Sequence, residues 1–234
     1  MTPRRPSRRC RVISVGLAVF AMAGCGTSLH PGTAAIVNGS SIPQSRVDGL
    51  VQAACQYIQL NRIAGHTGTQ PNTAMASLKS TFAQSLISFQ LTDKAFSNLH
   101  LSVSDASVAK VVAAGSVQLP AGLSDTNKEL LTTFFHNSAK FQLEEAVIGA
   151  HLKNPAVTNA DHVQQSDQTA AAGYLHTFIT HQSVSVNPSY GRWTGQAVTP
   201  GSGSLSVPVS AAAKQPFPNG STSATDLPPS QVCG

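Results

Sequence analysis

The stretch AAIVNGSSIPQSRVDGLVQAACQYIQLNR, residues 34–62, decides how this chain is read. Ala34-Ala35-Ile36-Val37 reads as a short strand. Asn38-Gly39 follows it and predicts a type I′ hairpin turn, because both residues tolerate positive φ. Ser40, Ser41 and Ile42 start the return strand. Pro43 suits the first turn of a helix, where its missing N–H costs nothing. Beyond it Val47, Leu50, Val51, Ala54, Cys55, Ile58 and Arg62 recur at steps of three and four. That spacing predicts one helix over about 43–62 with a single apolar stripe. Cys55 lies on the stripe, so it points at the core or at a docked segment.

The helical pattern continues downstream. Leu78, Phe82, Leu86, Phe89 and Phe96 share one face of a second helix, about 73–98, and read as core. Ser104 is placed to cap a short third helix ending near Gly115. Ser124 or Asp125 caps a fourth that carries Leu130, Leu131, Phe134, Phe141, Leu143 and Val147 to about Leu152, with Pro155 as its break. Thr158 is placed to cap a fifth helix through Tyr174, Leu175, Phe178 and Ile179. Ser183–Val186 alternates polar and apolar, as a strand does. The expected fold class is therefore mainly α: five helices with a small β-hairpin and a C-terminal strand. Residues 33–193 make that domain. Residues 194–234 are rich in Gly, Ser and Pro and read as a mobile tail that only Gln231-Val232-Cys233 could pin down.

The N-terminus reads as an address. Arg4, Arg5, Arg8, Arg9 and Arg11 precede the apolar run Val12–Ala23, which is too short to span a bilayer as a stable helix. Small residues close it at Ala23-Gly24-Cys25. Residues 1–24 read as a signal peptide, Cys25 as a lipid-attachment site, and residues 25–32 as a tether. Met22-Ala23-Gly24-Cys25 resembles the bacterial lipobox, with Met22 where Leu is usual. The competing site is Ala21-Met22-Ala23, an A-x-A pattern whose cleavage would release a soluble, secreted or periplasmic protein. The chain has four cysteines. Cys10 leaves with the signal, and lipidation of Cys25 leaves Cys55 and Cys233 as a pair. A Cys55–Cys233 disulfide is expected in an oxidising compartment, the other possibility being two free thiols.

The formal charge of +5 belongs to the signal, since five of the fifteen Lys and Arg and none of the ten Asp and Glu lie in residues 1–24. The remaining chain is neutral, which removes the electrostatic case for a nucleic-acid partner. Motifs for catalysis are missing: no G-x-S-x-G, H-E-x-x-H, P-loop or C-x-x-C occurs. The eight histidines are scattered, and His176 and His181 do not share a helix face. Glu144 and Glu145 are adjacent and read as a solvated face rather than an acid–base pair. No catalytic residue, metal site or cofactor is expected.

Two segments together resemble the SurA and PrsA extracytoplasmic chaperones. One is Ala34–Gly39 leading through Ile42 into Arg46-Val47-Asp48; the other is Val186-Asn187-Pro188-Ser189-Tyr190-Gly191-Arg192-Trp193, which looks like the family's closing V-N-P-R-Y-G-x-W segment with Ser189 in place of Arg. The resemblance implies a helical domain related to the peptide-binding part of trigger factor, with Val184–Val186 paired to the N-terminal hairpin. It also implies binding of unfolded or exported polypeptides. The family's parvulin isomerase domain has no room between the fourth and fifth helices, and none follows Trp193. The expectation is a non-enzymatic, lipid-anchored, chaperone-like protein on the extracytoplasmic face of the cell membrane. The alternative is a structural or assembly lipoprotein with one dedicated partner. A solute-binding lipoprotein would need alternating strands and helices, which the chain does not show.

Overall fold

A computed structural model describes residues 30–64, 73–115, 117–164, 166–200 and 229–233. The expected signal peptide, Cys25, most of the expected tether and residues 201–228 lie outside the described residues.

The hairpin forms where the sequence places it. Strand β1 (Thr33–Val37) pairs antiparallel with β2 (Ser40–Pro43), with Val37 opposite Ser40. Asn38 has φ 50° and Gly39 φ 85°, the two positive values that a type I′ turn needs. The Asn38 side chain also ties the turn to a distant segment. Its Oδ1 accepts from Ser183 N at 3.0 Å and its Nδ2 donates to Gln182 Oε1 at 2.9 Å. Helix α1 (Gln44–Ile63) starts directly after Pro43, which sits extended at the N-cap. Gln44 N, one of the orphan donors of the first turn, is satisfied by Gly32 O at 2.8 Å.

Helix α2 spans Met75–Asn98. It starts two residues after the sequence-based boundary because Thr73–Ala74 is taken up as a strand, β3. Helix α3 is Asp105–Gly115, with Ser104 Oγ accepting from Ser107 N at 3.2 Å. Helix α4 is Asp125–Lys153, capped by Ser124, whose Oγ accepts from Asn127 N at 3.3 Å. The fifth helix departs from expectation. Thr158 does not cap it; its carbonyl instead accepts from Ser102 N, and a 3-10 turn follows at Ala160–His162. Helix α5 runs from Asp167 to Thr180. Asp167 fixes its start: Oδ1 accepts from Lys153 Nζ at 2.7 Å and Oδ2 from Gln164 N at 2.8 Å.

Strand β4 (Val184–Val186) returns to pair with the other edge of β1, giving the sheet order β2-β1-β4. The packed chain then continues beyond Trp193. Strand β5 (Arg192–Trp193) pairs with β6 (Val198–Thr199), and Val198 is buried. The boundary expected at residue 193 thus falls inside a hairpin. Last, β7 (Val232–Cys233) pairs with β3.

Four apolar clusters hold these elements among the described residues, and two of them position the sheet and the α4–α5 pair. One joins β1, α1 and α2 through Ala34, Ala35, Val47, Leu50, Leu86 and Ile87. The other joins the ends of α2 and α4 to α5 through Ala95, Phe96, Val147, Ile148 and Ala171. At the second, α4 and α5 meet backbone to backbone: a Cβ on Gly149 would lie 1.8 Å from Asp167 O. Gly149→Ala must push the helices apart and should destabilise the fold by about 3 kcal/mol. Gly173→Ala, exposed on α5 with nothing within 4 Å of its Cβ position, should instead stabilise by about 1 kcal/mol through helix propensity. Urea denaturation of the two variants beside the parent checks both signs.

Candidate functional site

A groove opens where β2, α1, α2 and α4 converge. Its two long walls are built on one helical spacing. Helix α2 contributes Leu86, Phe89, Gln90 and Asp93, and α4 contributes Asn137, Lys140, Phe141 and Glu144. Each set recurs at i, i+3, i+4 and i+7, which places it on one face of its helix. Ser41, Ile42 and Pro43 of β2 and Arg46 of α1 complete the rim around a cavity of about 220 Å³. Arg46 and Leu86 also line a neighbouring cavity of about 400 Å³ beside Leu50, Leu130 and Phe134. Together the two make a trough along α4.

Aromatic rings form the apolar part of the wall. Phe82 meets Phe134 edge to face at 5.1 Å between centroids. Phe89 lies 5.7 Å from Phe134 and 5.4 Å from Phe141. Such pairs add about 0.5–1.5 kcal/mol each beyond the area they bury. The seven-residue spacing of Phe82, Phe89 and Phe96 therefore splits by role: Phe82 and Phe96 are buried in the core, while half-buried Phe89 faces the groove.

The charged part corrects the reading of Glu144 as solvated. Its side chain is 2 % exposed, and burial raises its pKa to about 7 against the opposing pull of Lys140. Glu145, half-buried, is raised by burial to about 6. The i, i+4 rule identifies Lys140 as a partner for Glu144, and Lys140 Nζ stands 3.2 Å from Glu144 Oε1. Lys140 donates its short bond, 2.7 Å, to Asp93 Oδ1 across the groove. Burial works against the Lys140 charge, yet Asp93 and Glu144 prevail and raise its pKa. Gln90 Oε1 is buried with no hydrogen-bond donor among the described residues, while Glu144 Oε1 has the Lys140 ammonium at 3.2 Å. Asp93 and Gln90 could not be assigned to a site from sequence, because only the α2–α4 packing brings them opposite Lys140 and Glu144.

The closing segment Asn187–Trp193 is structural in its contacts. Asn187 N donates to Ala34 O at 2.8 Å and its Nδ2 to Thr33 O at 3.2 Å. Tyr190, buried, donates its hydroxyl to Asp48 Oδ2 at 2.9 Å; burial first, then Asp48, raises its pKa. Cys55 on α1 and Cys233 on β7 are bonded, with Cα atoms 4.9 Å apart and a sequence separation of 178. Cys25 lies outside the described residues. Among the described residues no three His, Cys, Asp or Glu side chains gather as metal ligands, and no helix is long and apolar enough to cross a membrane.

Residues 10–125 match a family model described as the SurA-like N-terminal domain. The match includes the hairpin, α1, α2 and α3 and stops at the start of α4. Neither a curated protein nor a solved structure matches the chain significantly.

The groove gives stability a pH dependence of definite sign. Glu144 and Glu145 hold their protons more tightly folded than unfolded, so stability should fall as pH rises from about 4.5 towards about 7. Asp167 acts oppositely: the bond from Lys153 lowers its pKa, so its contribution is lost only in more acid solution. Thermal unfolding at pH 5, 6, 7 and 8 should show a declining midpoint. Glu144→Gln should remove most of that slope; an unchanged slope would contradict the assignment to Glu144.

Proposed function

The chain belongs to the SurA-like family by its N-terminal domain, and from that membership we propose that it is a lipid-anchored, extracytoplasmic, chaperone-like protein that binds unfolded or exported polypeptides. The observation that carries this reading is the open trough between α2 and α4, walled by Phe89, Phe134 and Phe141. An open apolar wall of this kind can bury client side chains by the hydrophobic effect, with no chemistry required. The neutral charge of the chain after residue 24 suits clients of either sign.

The reading is of a binding module without isomerase activity. Helices α4 and α5 are separated only by residues 154–166, which hold one 3-10 turn and could not contain a parvulin domain. It also gives the disulfide a purpose. Joining residues 178 positions apart restricts the unfolded chain and would stabilise by about 5 kcal/mol on a chain-entropy model. It holds β7 on β3 beside α1.

Purified protein in several-fold excess should suppress light scattering by a heat-unfolded test protein, and Phe89→Ala should weaken the effect several-fold. No suppression, with one stoichiometric partner recovered by pull-down, would favour a dedicated assembly lipoprotein instead. In its native host the protein should fractionate with membranes and become soluble on Cys25→Ala. Cys55 and Cys233 should resist alkylation in denaturant until a reductant is added; two reactive thiols before reduction would exclude the disulfide.

A further inference from the structure

In Asn38-Gly39 the side-chain carboxamide of one residue can be attacked by the backbone nitrogen of the next. Glycine hinders that attack least, because it has no side chain. Gly39 is exposed, and nothing lies within 4 Å of the position a Cβ would take. Attack on Asn38 Cγ closes a five-membered ring, which needs Asn38 Cβ and Gly39 N nearly eclipsed about the Asn38 Cα–C bond. The hairpin holds the opposite arrangement. At φ 50° Asn38 is in the left-handed region, where ψ is about 30–60° and Cβ stands nearly opposite the following nitrogen. The side chain is held independently of the backbone. Its Oδ1 accepts from Ser183 N at 3.0 Å and its Nδ2 donates to Gln182 Oε1 at 2.9 Å, while Asn38 N donates to Ser183 O at 2.8 Å. All three bonds cross to the segment that leads into β4. The ring can therefore close only when the turn flips and the Asn38 side chain leaves that segment.

We propose that Asn38-Gly39 is a self-modification site, held off by the docking of Gln182 and Ser183 and released whenever the β1–β4 edge opens. A base in solution removes the Gly39 N–H proton, and the nitrogen bonds to Asn38 Cγ. The Cγ–Nδ2 bond breaks, and the amino group takes up a proton to leave as ammonia. Water then opens the cyclic imide at either carbonyl. Cleavage at Cγ leaves aspartate; cleavage at the backbone carbonyl leaves isoaspartate, whose main chain runs through Cβ. The net change consumes one water and releases one ammonia, with nothing oxidised or reduced. Neither product restores the closure. Aspartate has no donor for Gln182 Oε1, and the Gln182 Nε2 is already engaged with Phe178 O at 3.0 Å. Two acceptors then face each other across the edge, which costs stability. Isoaspartate adds a main-chain atom to a two-residue turn whose register sets Val37 opposite Ser40. The conversion is one-way and acts on the edge that closes the domain. It does not depend on the polypeptide-binding reading above.

The test incubates the full chain at pH 8, folded and in urea. Mass spectrometry with chromatographic separation follows asparagine, aspartate and isoaspartate in the peptides that contain Asn38 and Asn219. Asn219-Gly220 is the other Asn-Gly pair in the chain, and it calibrates the chemistry in urea, where the two pairs should react at similar rates. In the folded chain Asn38 should convert about tenfold to a hundredfold more slowly than in urea, the factor being set by the free energy of opening the edge. Gln182→Ala removes the acceptor of Nδ2; it should speed the folded-state conversion several-fold and leave the urea rate unchanged. Asn38→Asp should fold, by circular dichroism, with a thermal midpoint about 2–4 °C below the parent. Equal rates at Asn38 in the folded chain and in urea would overturn the gating, as would a Gln182→Ala variant with the parent's folded-state rate. No product at Asn38 in the folded chain after about a hundred urea half-times would overturn the site itself. An Asn38→Asp midpoint equal to the parent's would overturn the effect on the closure.

Discussion

Strand β1 has a neighbour on each side, and the two arrive by opposite routes. Strand β2 follows it through a two-residue turn, whereas β4 reaches it only after all five helices described here have been laid down. The bond from Asn187 Nδ2 to Thr33 O spans 154 positions and seals that closure, with Asn187 N on Ala34 O beside it. Closing a loop of this length costs entropy that grows only slowly with its size, so a sheet of three short strands suffices once the apolar cluster beneath it is buried. Every helix lies inside the closure. Their relative placement depends on the first and last segments of the domain meeting at β1.

That dependence reaches the groove. Strand β2 contributes the rim at Ser41, Ile42 and Pro43, and Pro43 launches α1 with Arg46 in the same rim. Helices α2 and α4 face each other across the Phe82–Phe134–Phe89–Phe141 ring series, and the same approach forces Lys140 between Asp93 and Glu144. Burying an ion pair is weak grounds for stability, because desolvation offsets much of the attraction. Here burial outweighs the attraction and leaves Glu144 with a pKa near neutrality beside the Lys140 ammonium.

The elements themselves were largely legible. Apolar residues at steps of three and four located the helices, Asn38-Gly39 located the hairpin, and Ser104 and Ser124 marked two helix starts by their cap chemistry. The failures share one physical cause. Thr158 has the residue type of a cap, but its backbone is taken by Ser102, and the start of α5 is set by Lys153 reaching Asp167 from α4. Thr73–Ala74 follows a helical pattern yet is recruited as a strand by Val232–Cys233. Glu144 has the residue type of a solvated face and is buried because α2 packs over it. In each case a partner distant in sequence outweighed the local preference.

What the sequence determined by itself is what neighbouring residues can decide: the hairpin turn, the helices and their apolar stripes, and a family signature within residues 10–125. These are short-range matters of φ preference, cap hydrogen bonds and periodicity, written within a few residues of where they act. The tertiary structure alone decided which helix faces oppose one another. It gathered Gln90, Asp93, Lys140 and Glu144 into one cavity and extended the packed chain through β6. Those outcomes follow from close packing and desolvation between segments far apart in the chain, whose mutual distances no local pattern encodes.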